Sequence, residues 1–299
     1  MSQVLLAIGG GKGGTGKSFL AANLGIALAD MGKRVVLVDL DLTGGANLHT
    51  LLGVSFPERT LDDLLYGEVD YEGLLLETPI RGLKFISGLI RGISEKARFR
   101  VKRRLEKVLT GIKADYVVLD LGAGISSVTL DFFLLAHKKF IVITPEGTAV
   151  ENVYRFIRGA YFRYLRSLVG PSFRDLVDKA YEGREVSLRT PADLLRVLES
   201  MDPSAVERCK EGLFDFCLCV VLNQVRRNEE KQMGYSFKVV CKKYFEIEPL
   251  YLGYIPFDPK VPFAVNRGRP FLREYPYTEV SQCIRGIALR LLAGKEATV

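Results

Sequence analysis

The sequence contains no apolar run that approaches the 18 or so residues of a transmembrane helix, and FDFCLCVVL is about its longest. It also lacks CxxC pairs of the metal-binding type, low-complexity segments and repeats of fixed period. The first residues, MSQVLLAIGG, show no basic leader and no cleavage site, so we expect no signal peptide. With 48% hydrophobic and 26% charged residues, the composition is typical of a globular protein with a sizeable core.

Cysteine is scarce, and the cysteines are odd in number and lie in apolar stretches. They are Cys209, Cys217, Cys219, Cys241 and Cys283. This pattern predicts reduced, buried thiols in a cytoplasmic protein. Cys217 and Cys219 alternate along an apparent strand and point to one face, and we interpret both as small core residues.

The positive charge is concentrated in one segment. Residues 91–107, RGISEKARFRVKRRLEK, hold eight basic residues against two acidic ones, whereas the net charge of the whole chain is only +7. The basic residues are Arg91, Lys96, Arg98, Arg100, Lys102, Arg103, Arg104 and Lys107. Apolar residues at helical spacing predict an amphipathic helix over 95–112. Its buried stripe would consist of Val101, Leu105, Val108, Leu109 and Ile112. The basic face is either simply solvated or meets an acidic partner, such as DNA, an anionic membrane surface or an acidic protein.

Short apolar runs alternate with helical patterns along most of the chain. We predict strands at residues 4–10, 34–41, 83–88, 116–122, 139–146, 214–223 and 250–257. Such runs are typical of strands buried on both faces of a parallel sheet. A helix predicted at 18–32 has Leu20, Leu24, Ala27 and Leu28 on one face. The alternation predicts a doubly wound, mostly parallel α/β sheet of about seven or eight strands flanked by helices, in a single domain over 1–299.

Residues 170–212 interrupt this alternation with helical fragments and no strand pattern. Within them, Thr190 suits a helix N-cap, Pro191 suits the first turn, and Asp193 lies near the N-terminus. We therefore predict a helical insertion at 170–212 that lies on the surface between two strands of the sheet.

A glycine-rich loop follows the first strand and opens the first helix. Gly11 to Ser18 fit G-x-x-x-x-G-K-[ST], the phosphate-binding P-loop. Its glycines let backbone N–H groups turn towards phosphate oxygens without Cβ clashes. Lys17 would supply a cation to the terminal phosphates, and the Ser18 hydroxyl would bind Mg²⁺. The motif in this context predicts a nucleotide-binding protein.

Polar side chains close several of the apolar strands. Asp120 ends YVVLDLG, where a carboxylate could hold Mg²⁺ through water, and Asp39 and Asp41 end RVVLVDLD. Two acids spaced i, i+2 on an extended segment share a face, so both could approach the phosphates. Because ligands bind at the carboxyl ends of strands in such sheets, we expect these acids, Asn223 and the P-loop to converge.

The loop GGGKGGTGKS contains a second lysine, Lys12, that the P-loop pattern does not require. A cation at this position would be repelled by the inward N–H groups and by Lys17. It therefore either points away from the loop or meets an anion. A solvated side chain is the simplest interpretation.

These segments together resemble a known family. KGGTGKS is similar to the deviant Walker A motif of the MinD/ParA family of dimeric ATPases. The similarity continues in VDLDLTGGANLHTLLG, DYVVLDLGAGIS, FIVITPEGTAVENVYRFI, VVLNQV and YIPFDPKVPFAVNRGRPF. DLGAGIS and TPEGTAVENVY look most like the FlhG/FleN branch, the MinD-like regulators of flagellar number and placement. The resemblance covers about residues 1–168 and 213–292.

The resemblance implies catalytic and metal-binding roles for several residues. It implies an ATP-bound sandwich dimer in which Lys12 crosses to the phosphates of the partner, so that the loop carries one lysine for each nucleotide. It further implies that Asp41 orients the attacking water. Ser18, Asp39 and Asp120 would hold Mg²⁺.

The resemblance also implies a set of nucleotide contacts. These are Gly11, Lys12, Gly13, Gly14, Thr15, Gly16, Lys17, Ser18, Phe19, Asn223, Pro256, Phe257 and Asp258. Asn223 would read the adenine edge, and Pro256 to Asp258 would close around the base and ribose. ATP and Mg²⁺ are the cofactors implied.

The function implied is an ATP-driven dimerisation switch that positions or counts a cellular structure, with slow hydrolysis stimulated by a protein partner. A ParA-like partition ATPase for DNA or cargo is the nearest alternative, favoured by residues 91–107. Metallocentre-insertion or reductase ATPases of this fold need paired cysteines near 121–126, where the sequence has none.

The C-terminal segment leaves two interpretations open. MinD relatives carry an amphipathic membrane-targeting helix, and here Ile284, Ile287, Ala288 and Leu291 share one helical face. We favour core packing of this face over membrane binding. Attachment at the inner face of the cell membrane remains an alternative to a purely cytoplasmic location.

Overall fold

The computed structural model describes residues 3–42, 45, 47–66, 70–90, 95–184, 188 and 190–297, and within them the side chains of all residues except 95–100 and 214. In these ranges eight strands form one sheet. The strands are β1 (Val4–Gly9), β2 (Val35–Leu40), β3 (Leu76–Glu77), β4 (Leu83–Ile86), β5 (Tyr116–Leu121), β6 (Lys138–Ile143), β7 (Leu218–Val225) and β8 (Leu250–Pro256).

Helices connect these strands. They are α1 (Lys17–Asp30), α2 (Leu48–Leu51), α3 (Leu61–Tyr66), α4 (Tyr71–Leu74), α5 (Glu95–Gly111), α6 (Ser127–Leu135), α7 (Gly147–Leu168), α8 (Arg174–Glu182), α9 (Pro191–Met201), α10 (Pro203–Phe214), α11 (Met233–Phe245), α12 (Lys260–Asn266), α13 (Phe271–Glu274) and α14 (Glu279–Ala293). Two short 3₁₀ helices lie at Pro171–Phe173 and Asn228–Gln232.

The strands run in the order β3-β4-β2-β5-β1-β6-β7-β8, and every pair is parallel except β3 with β4. The predicted doubly wound, mostly parallel sheet is confirmed. The predicted strands differ from the observed ones in several bounds. The two-residue strand β3 was missed because it is too short to show a pattern, and β7 begins at Leu218 rather than at 214, because α10 extends to Phe214.

Apolar cores cover both faces of the sheet. One core receives α5, α6, α7, α9 and α11, and the other receives α1, α13 and α14. Helix α1 is buried on nearly all sides and not only on the predicted face, because it packs between the strands and α14. This burial fixes the first helical turn, which follows the glycine-rich loop.

Helix α5 has the predicted apolar stripe. Val101, Leu105, Leu109 and Ile112 are buried in the core, and Val108 is half-buried against it. Lys102 does not belong to an open basic face, because its Nζ lies 2.8 Å from Asp131 of α6. Residues 91–94 and the side chains of 95–100 lie outside the described part, so the predicted basic segment is described only from its second half.

Three helices, α8 to α10, occupy most of the 170–212 segment. The predicted N-cap is confirmed: the Thr190 hydroxyl accepts a hydrogen bond from the Asp193 N–H, and the Asp193 carboxylate accepts one from the Thr190 N–H. The expected surface position holds only for the outer faces, because Leu194, Leu195 and Leu198 of α9 are buried in the sheet core. That 170–212 is an insertion within a single 1–299 domain stays a prediction.

Helix α14 begins at the N-cap Thr278 and ends before Gly294, whose φ of 63° is left-handed. Its predicted apolar face, Ile284, Ile287, Ala288 and Leu291, is buried against α1 and β8. Core packing of this face is therefore confirmed. None of the helices in the described ranges has the length and apolar character needed to cross a bilayer.

Replacing Ile287 by Ala should lower the free energy of unfolding by about 2–4 kcal/mol. The Ile287 side chain is 0% exposed, so its truncation removes buried apolar contacts and leaves a cavity. Leu289→Ala is the matched control on the same helix. Leu289 is 57% exposed, so the expected change stays within about 0.5 kcal/mol. Urea denaturation measures both, and equal small changes would place the α14 stripe outside the core.

Candidate nucleotide site

The glycine-rich loop is held in place by close packing. Gly16 precedes α1 with a φ of 88°, and a Cβ there would lie 2.1 Å from Asn223 Nδ2. At Gly11, a Cβ would lie 2.2 Å from the backbone oxygen of Asn152 in α7. Both positions therefore require glycine. The loop ends at the N-terminus of α1, where backbone N–H groups and the helix dipole favour a phosphate.

Lys17 is buried inside the loop, with 7% of its surface exposed. Its Nζ donates a hydrogen bond to the backbone oxygen of Lys12 at 3.0 Å. Burial lowers the pKa of Lys17, and the nearby charges of Asp120 and Asp41 oppose that change. The ammonium group is thus fixed between the loop and the acids at the strand ends.

Asp39 and Asp120 lie side by side, because they are register partners on β2 and β5. Both are nearly inaccessible, at 2% and 4% exposure. Burial raises the pKa of Asp39 to about 6 and that of Asp120 to about 8. Repulsion between neighbouring carboxylates adds to both increases, from Asp41 on Asp39 and from Asp39 and Asp41 on Asp120. Asp39 accepts hydrogen bonds from the N–H groups of Asp41 and Leu48, at 3.0 and 3.1 Å.

The oxygen atoms around Asp120 suit a magnesium ion. Oδ1 of Asp120 is buried and has no hydrogen-bond partner. The Ser18 hydroxyl bonds to the same carboxyl group. A carboxylate and a hydroxyl are hard oxygen ligands of the kind Mg²⁺ takes with nucleotide phosphates. Ser18, Asp120 and the adjacent Asp39 therefore fit the predicted metal site, while their roles as ligands stay predictions.

Asp41 packs against the segment that follows β5. A Cβ on Gly122 would lie 2.9 Å from Asp41 Oδ1, so the glycine permits this close approach. The carboxylate is half-buried and close enough to Lys17 to affect its charge. It thus lies beside the P-loop, and its role in orienting water stays a prediction.

Lys12 leaves the loop towards solvent. Its side chain is 45% exposed, and its Nζ lies 3.4 Å from Oε2 of Glu146, the residue before α7, which is itself 60% exposed. The prediction that Lys12 must meet an anion or point away is met in both respects. Exposed ion pairs of this kind contribute about 0–1 kcal/mol, so Lys12 can leave Glu146 at little cost.

An apolar cavity of about 350 Å³ adjoins the loop. Its lining brings together the predicted contacts Phe19, Asn223 and Pro256 to Asp258 from α1 and the ends of β7 and β8. The rest of the lining is Gly16, Gln224, Ile255, Val261, Pro262, Val265 and Asn266. An apolar cavity next to a P-loop suits a nucleotide base.

Two amide side chains from β7 fasten the loop, and sequence reasoning missed one of them. Asn223 Nδ2 donates to the backbone oxygen of Thr15 at 2.8 Å, and Gln224 Nε2 donates to that of Gly14 at 3.1 Å. Gln224 has a φ of 59°, a conformation rare outside glycine. Its position directly after Asn223, in the segment VVLNQV, could have identified Gln224 as a second residue of the site. Asn223 therefore has a structural contact beside its predicted role at adenine.

The family model for the CobQ/CobB/MinD/ParA nucleotide binding domain matches residues 6–271. The chain belongs to this MinD/ParA family. The match includes the loop, both acidic strand ends and the cavity, so the sequence resemblance is confirmed at the level of the family. As a MinD/ParA protein, the chain is an ATP-binding P-loop ATPase by family.

The following similar proteins each align with nearly the whole of this chain. An uncharacterised ATP-binding protein of Methanocaldococcus jannaschii is 27% identical over 298 residues, which are 99% of this chain and 90% of that protein. The antiactivator FleN of Pseudomonas aeruginosa is 25% identical over 291 residues, which are 96% and 85%. The septum site-determining protein MinD of Pyrococcus horikoshii, solved with Mg-ADP, has a TM-score of 0.63 at 22% identity and covers 99% and 100%. This last likeness shows the fold.

Asp120→Asn should stabilise the protein freed of nucleotide and Mg²⁺, and more at pH 8 than at pH 5. The pKa of Asp120 is raised from 3.8 to about 8, so the folded state holds this proton more tightly than the unfolded chain. The free energy of unfolding therefore falls as the pH rises from about 4 to 8, and a neutral amide removes that loss. Urea unfolding in EDTA at both pH values measures the difference.

Asp115→Asn is the matched control for this experiment. The hydrogen bond from the Arg34 side chain lowers the pKa of Asp115 to about 2, so its charge stabilises the fold at neutral pH. Its removal should act in the opposite direction at pH 8. An Asp120→Asn protein that is less stable than the wild type at pH 8 would contradict the description of Asp120 as a buried acid whose charge destabilises the fold.

Proposed function

We propose that the protein is a Mg²⁺-dependent ATPase in which bound ATP drives homodimerisation, and that this switch regulates the placement or number of a cellular structure. The observation that carries the proposal is the position of Lys12. One lysine of the loop, Lys17, is buried next to the acids, whereas the other is directed into solvent beside Glu146.

The outward direction of Lys12 would allow its ammonium group to contact a second subunit in a dimer. Within one chain, the Lys12 backbone oxygen binds Lys17, and its side chain extends away from the loop interior. A second copy placed face to face would bring its phosphates to this ammonium group. Because Glu146 holds Lys12 only by an exposed ion pair, a phosphate would compete for it successfully.

The other polar residues of the site would have separate roles. Ser18, Asp39 and Asp120 would hold Mg²⁺, which offsets the negative charge of the phosphates when it is bound. Asp41, which is close enough to Lys17 to affect its charge, would orient the water that attacks the terminal phosphate. Hydrolysis would be slow until a protein partner completes the arrangement, so that the dimer persists long enough to act.

The cellular role proposed is that of the FlhG/FleN branch. Its support is the similarity to the antiactivator FleN over 96% of the chain and the DLGAGIS and TPEGTAVENVY segments. We propose a peripheral place at the inner face of the cell membrane only in the ATP-bound dimer. Since the apolar face of α14 is buried in the fold, another surface would make that contact.

A ParA-like partition role is the second candidate, favoured by the outer side of α5. Arg103, Arg104 and Lys107 are exposed there, on the side opposite the buried stripe. In a dimer two such surfaces would act together on nucleic acid phosphates. Sequence-independent, ATP-dependent retardation of DNA at low salt would favour this candidate, and its absence would favour the FlhG-like one.

ATP should bind more tightly than GTP, by about 1–3 kcal/mol. The amide of Asn223 borders the base cavity, and its oxygen can accept a hydrogen bond from the amino group of adenine. Guanine presents a carbonyl oxygen at that position, which cannot donate. Calorimetric titration with both nucleotides measures the difference, and equal affinities would remove Asn223 from base recognition.

Lys12→Ala and Asp41→Ala should fail in different ways. The first variant should bind ATP through the remaining loop but stay monomeric, because the lysine that crosses the interface is gone. The second should form the dimer but retain its ATP. Light scattering after size exclusion with Mg²⁺-ATP, together with a phosphate-release assay, measures both properties.

Glu146→Ala is the matched control, since it removes the ion-pair partner of Lys12 and keeps the lysine. It should dimerise with ATP like the wild type. A Lys12→Ala protein that dimerises and hydrolyses ATP normally would reduce Lys12 to a solvated surface residue.

A further inference from the structure

A second cavity, of about 420 Å³, lies at the β8 edge of the sheet. It is enclosed by β8, α11, α14, the end of the 3₁₀ helix at Asn228–Gln232 and the segment that follows α14. Strand β8 also contributes to the base cavity, but the two cavities share no lining residue. No Asp or Glu of the described ranges lines the cavity at the β8 edge.

Helix α14 turns a second face towards this cavity. Cys283, Gly286 and Arg290 follow one another at i, i+3 and i+7, so they share one side of the helix. All three line the cavity and are half-buried. This face is separate from the stripe of α14 that packs in the core, so its residues are not explained by core packing.

The guanidinium group of Arg290 is held at the bottom of the cavity by backbone. Its Nε donates a hydrogen bond to the backbone oxygen of Leu252 at 2.6 Å. Gly253 has a φ of 123°, which favours glycine, and a Cβ there would lie 2.7 Å from Arg290 Nη2. A Cβ on Gly286 would lie 3.2 Å from the same nitrogen. The two glycines thus let the guanidinium group lie directly between β8 and α14.

Lys231 supplies a second cation to the cavity. Its Nζ lies 4.2 Å from the centre of the Tyr254 ring. Both cations are close to the thiol of Cys283: burial raises the pKa of this thiol to about 11 and Glu279 adds to the increase, whereas Arg290 and Lys231 oppose it. Among the residues that the structure describes, neither cation forms an ion pair with a carboxylate.

The balance of charge around the cavity favours an anion. Glu279, which accepts a hydrogen bond from the Tyr254 hydroxyl at 3.4 Å, offsets one positive charge at most. Glu296 is paired with Lys238 at 2.6 Å. A cationic ligand would be repelled by both cations, and the Tyr254 ring that could attract it is already covered by Lys231.

Tyrosine rings form the apolar wall of the cavity. Tyr235 and Tyr251 pack edge to face, with ring centroids 5.0 Å apart. The Tyr235 hydroxyl donates to the backbone oxygen of Ala297, and the Ala297 N–H donates to the backbone oxygen of Tyr251, both at 2.8 Å. The segment after α14 is therefore fastened along β8 and closes one side of the cavity. The rings leave an apolar surface next to the two cations.

We propose that this cavity binds a small organic anion. Arg290 and Lys231 hold its carboxylate or phosphate group, and its apolar body lies against the rings of Tyr235 and Tyr251. The planar fork of an arginine donates two parallel hydrogen bonds to either kind of oxyanion. The volume is within the range of about 300–1,000 Å³ that is usual for small-molecule sites. The proposal does not depend on the ATP-driven switch.

The test is calorimetric titration of the full chain with four probes, in saturating Mg-ADP so that phosphate probes do not enter the P-loop. Phenyl phosphate and benzoate carry both an anion and a ring, inorganic phosphate lacks the ring, and benzyl alcohol lacks the charge. At least one of the two aromatic anions should bind roughly tenfold more tightly than inorganic phosphate and benzyl alcohol. The tighter of the two identifies the oxyanion as phosphate or carboxylate.

Arg290→Met and Lys231→Met should each weaken this binding by roughly tenfold, because each removes a charged hydrogen-bond donor. Arg285→Met is the matched control on the same helix, since Arg285 donates to the backbone oxygen of Pro276 at 2.6 Å and does not line the cavity. It should bind the probe like the wild type. Circular dichroism verifies that each variant is folded. Lys231→Met keeps the test decisive if Arg290→Met is unfolded, because Arg290 also connects α14 to β8.

Three results would overturn the proposal. The first is that neither aromatic anion binds to the wild type. The second is that benzyl alcohol binds as tightly as the anions, which would show that the cations do not select the ligand. The third is that folded Arg290→Met and Lys231→Met proteins bind the anion like the wild type, which would place its site elsewhere.

Discussion

The pair of buried carboxyl groups at the ends of β2 and β5 is the constraint on which the rest of the site depends. Asp39 and Asp120 are forced together by the register of the parallel sheet, in a place almost without solvent. Two negative charges cannot be held there unless cations or protons balance them. This negative charge is offset in part by Lys17, by the Ser18 hydroxyl and by the backbone N–H groups that donate hydrogen bonds to Asp39. A divalent cation would offset the rest.

Much of this arrangement could be predicted from the sequence, because it follows from local patterns. The P-loop spacing specified Lys17 and Ser18, and apolar runs ending in Asp39 and Asp120 specified where the strands stop. The parallel sheet then brings these ends to one edge. The buried stripe of α5 and the helix N-cap at Thr190 were predicted for the same reason, since both depend on spacing within one helix.

The remaining features depend on contacts between distant segments, which no local pattern records. Glu146 meets Lys12 across 134 positions of sequence, and Gln224 meets Gly14 across 210. The need for glycine at position 11 arises from the backbone of α7 rather than from a phosphate alone. The same holds for Arg290, whose Nε reaches the backbone oxygen of Leu252 on β8 across 38 positions.

The central claim, that Lys12 acts on the nucleotide of a second copy, is tested most directly by mixing two inactive variants. In a mixed dimer of Lys12→Ala with Asp41→Ala, the nucleotide of the first subunit has its own Asp41 and receives Lys12 from its partner. We predict that the mixture regains ATP hydrolysis that neither variant has alone. A mixture no more active than its separate components, with dimers present, would contradict the claim and place Lys12 at its own nucleotide.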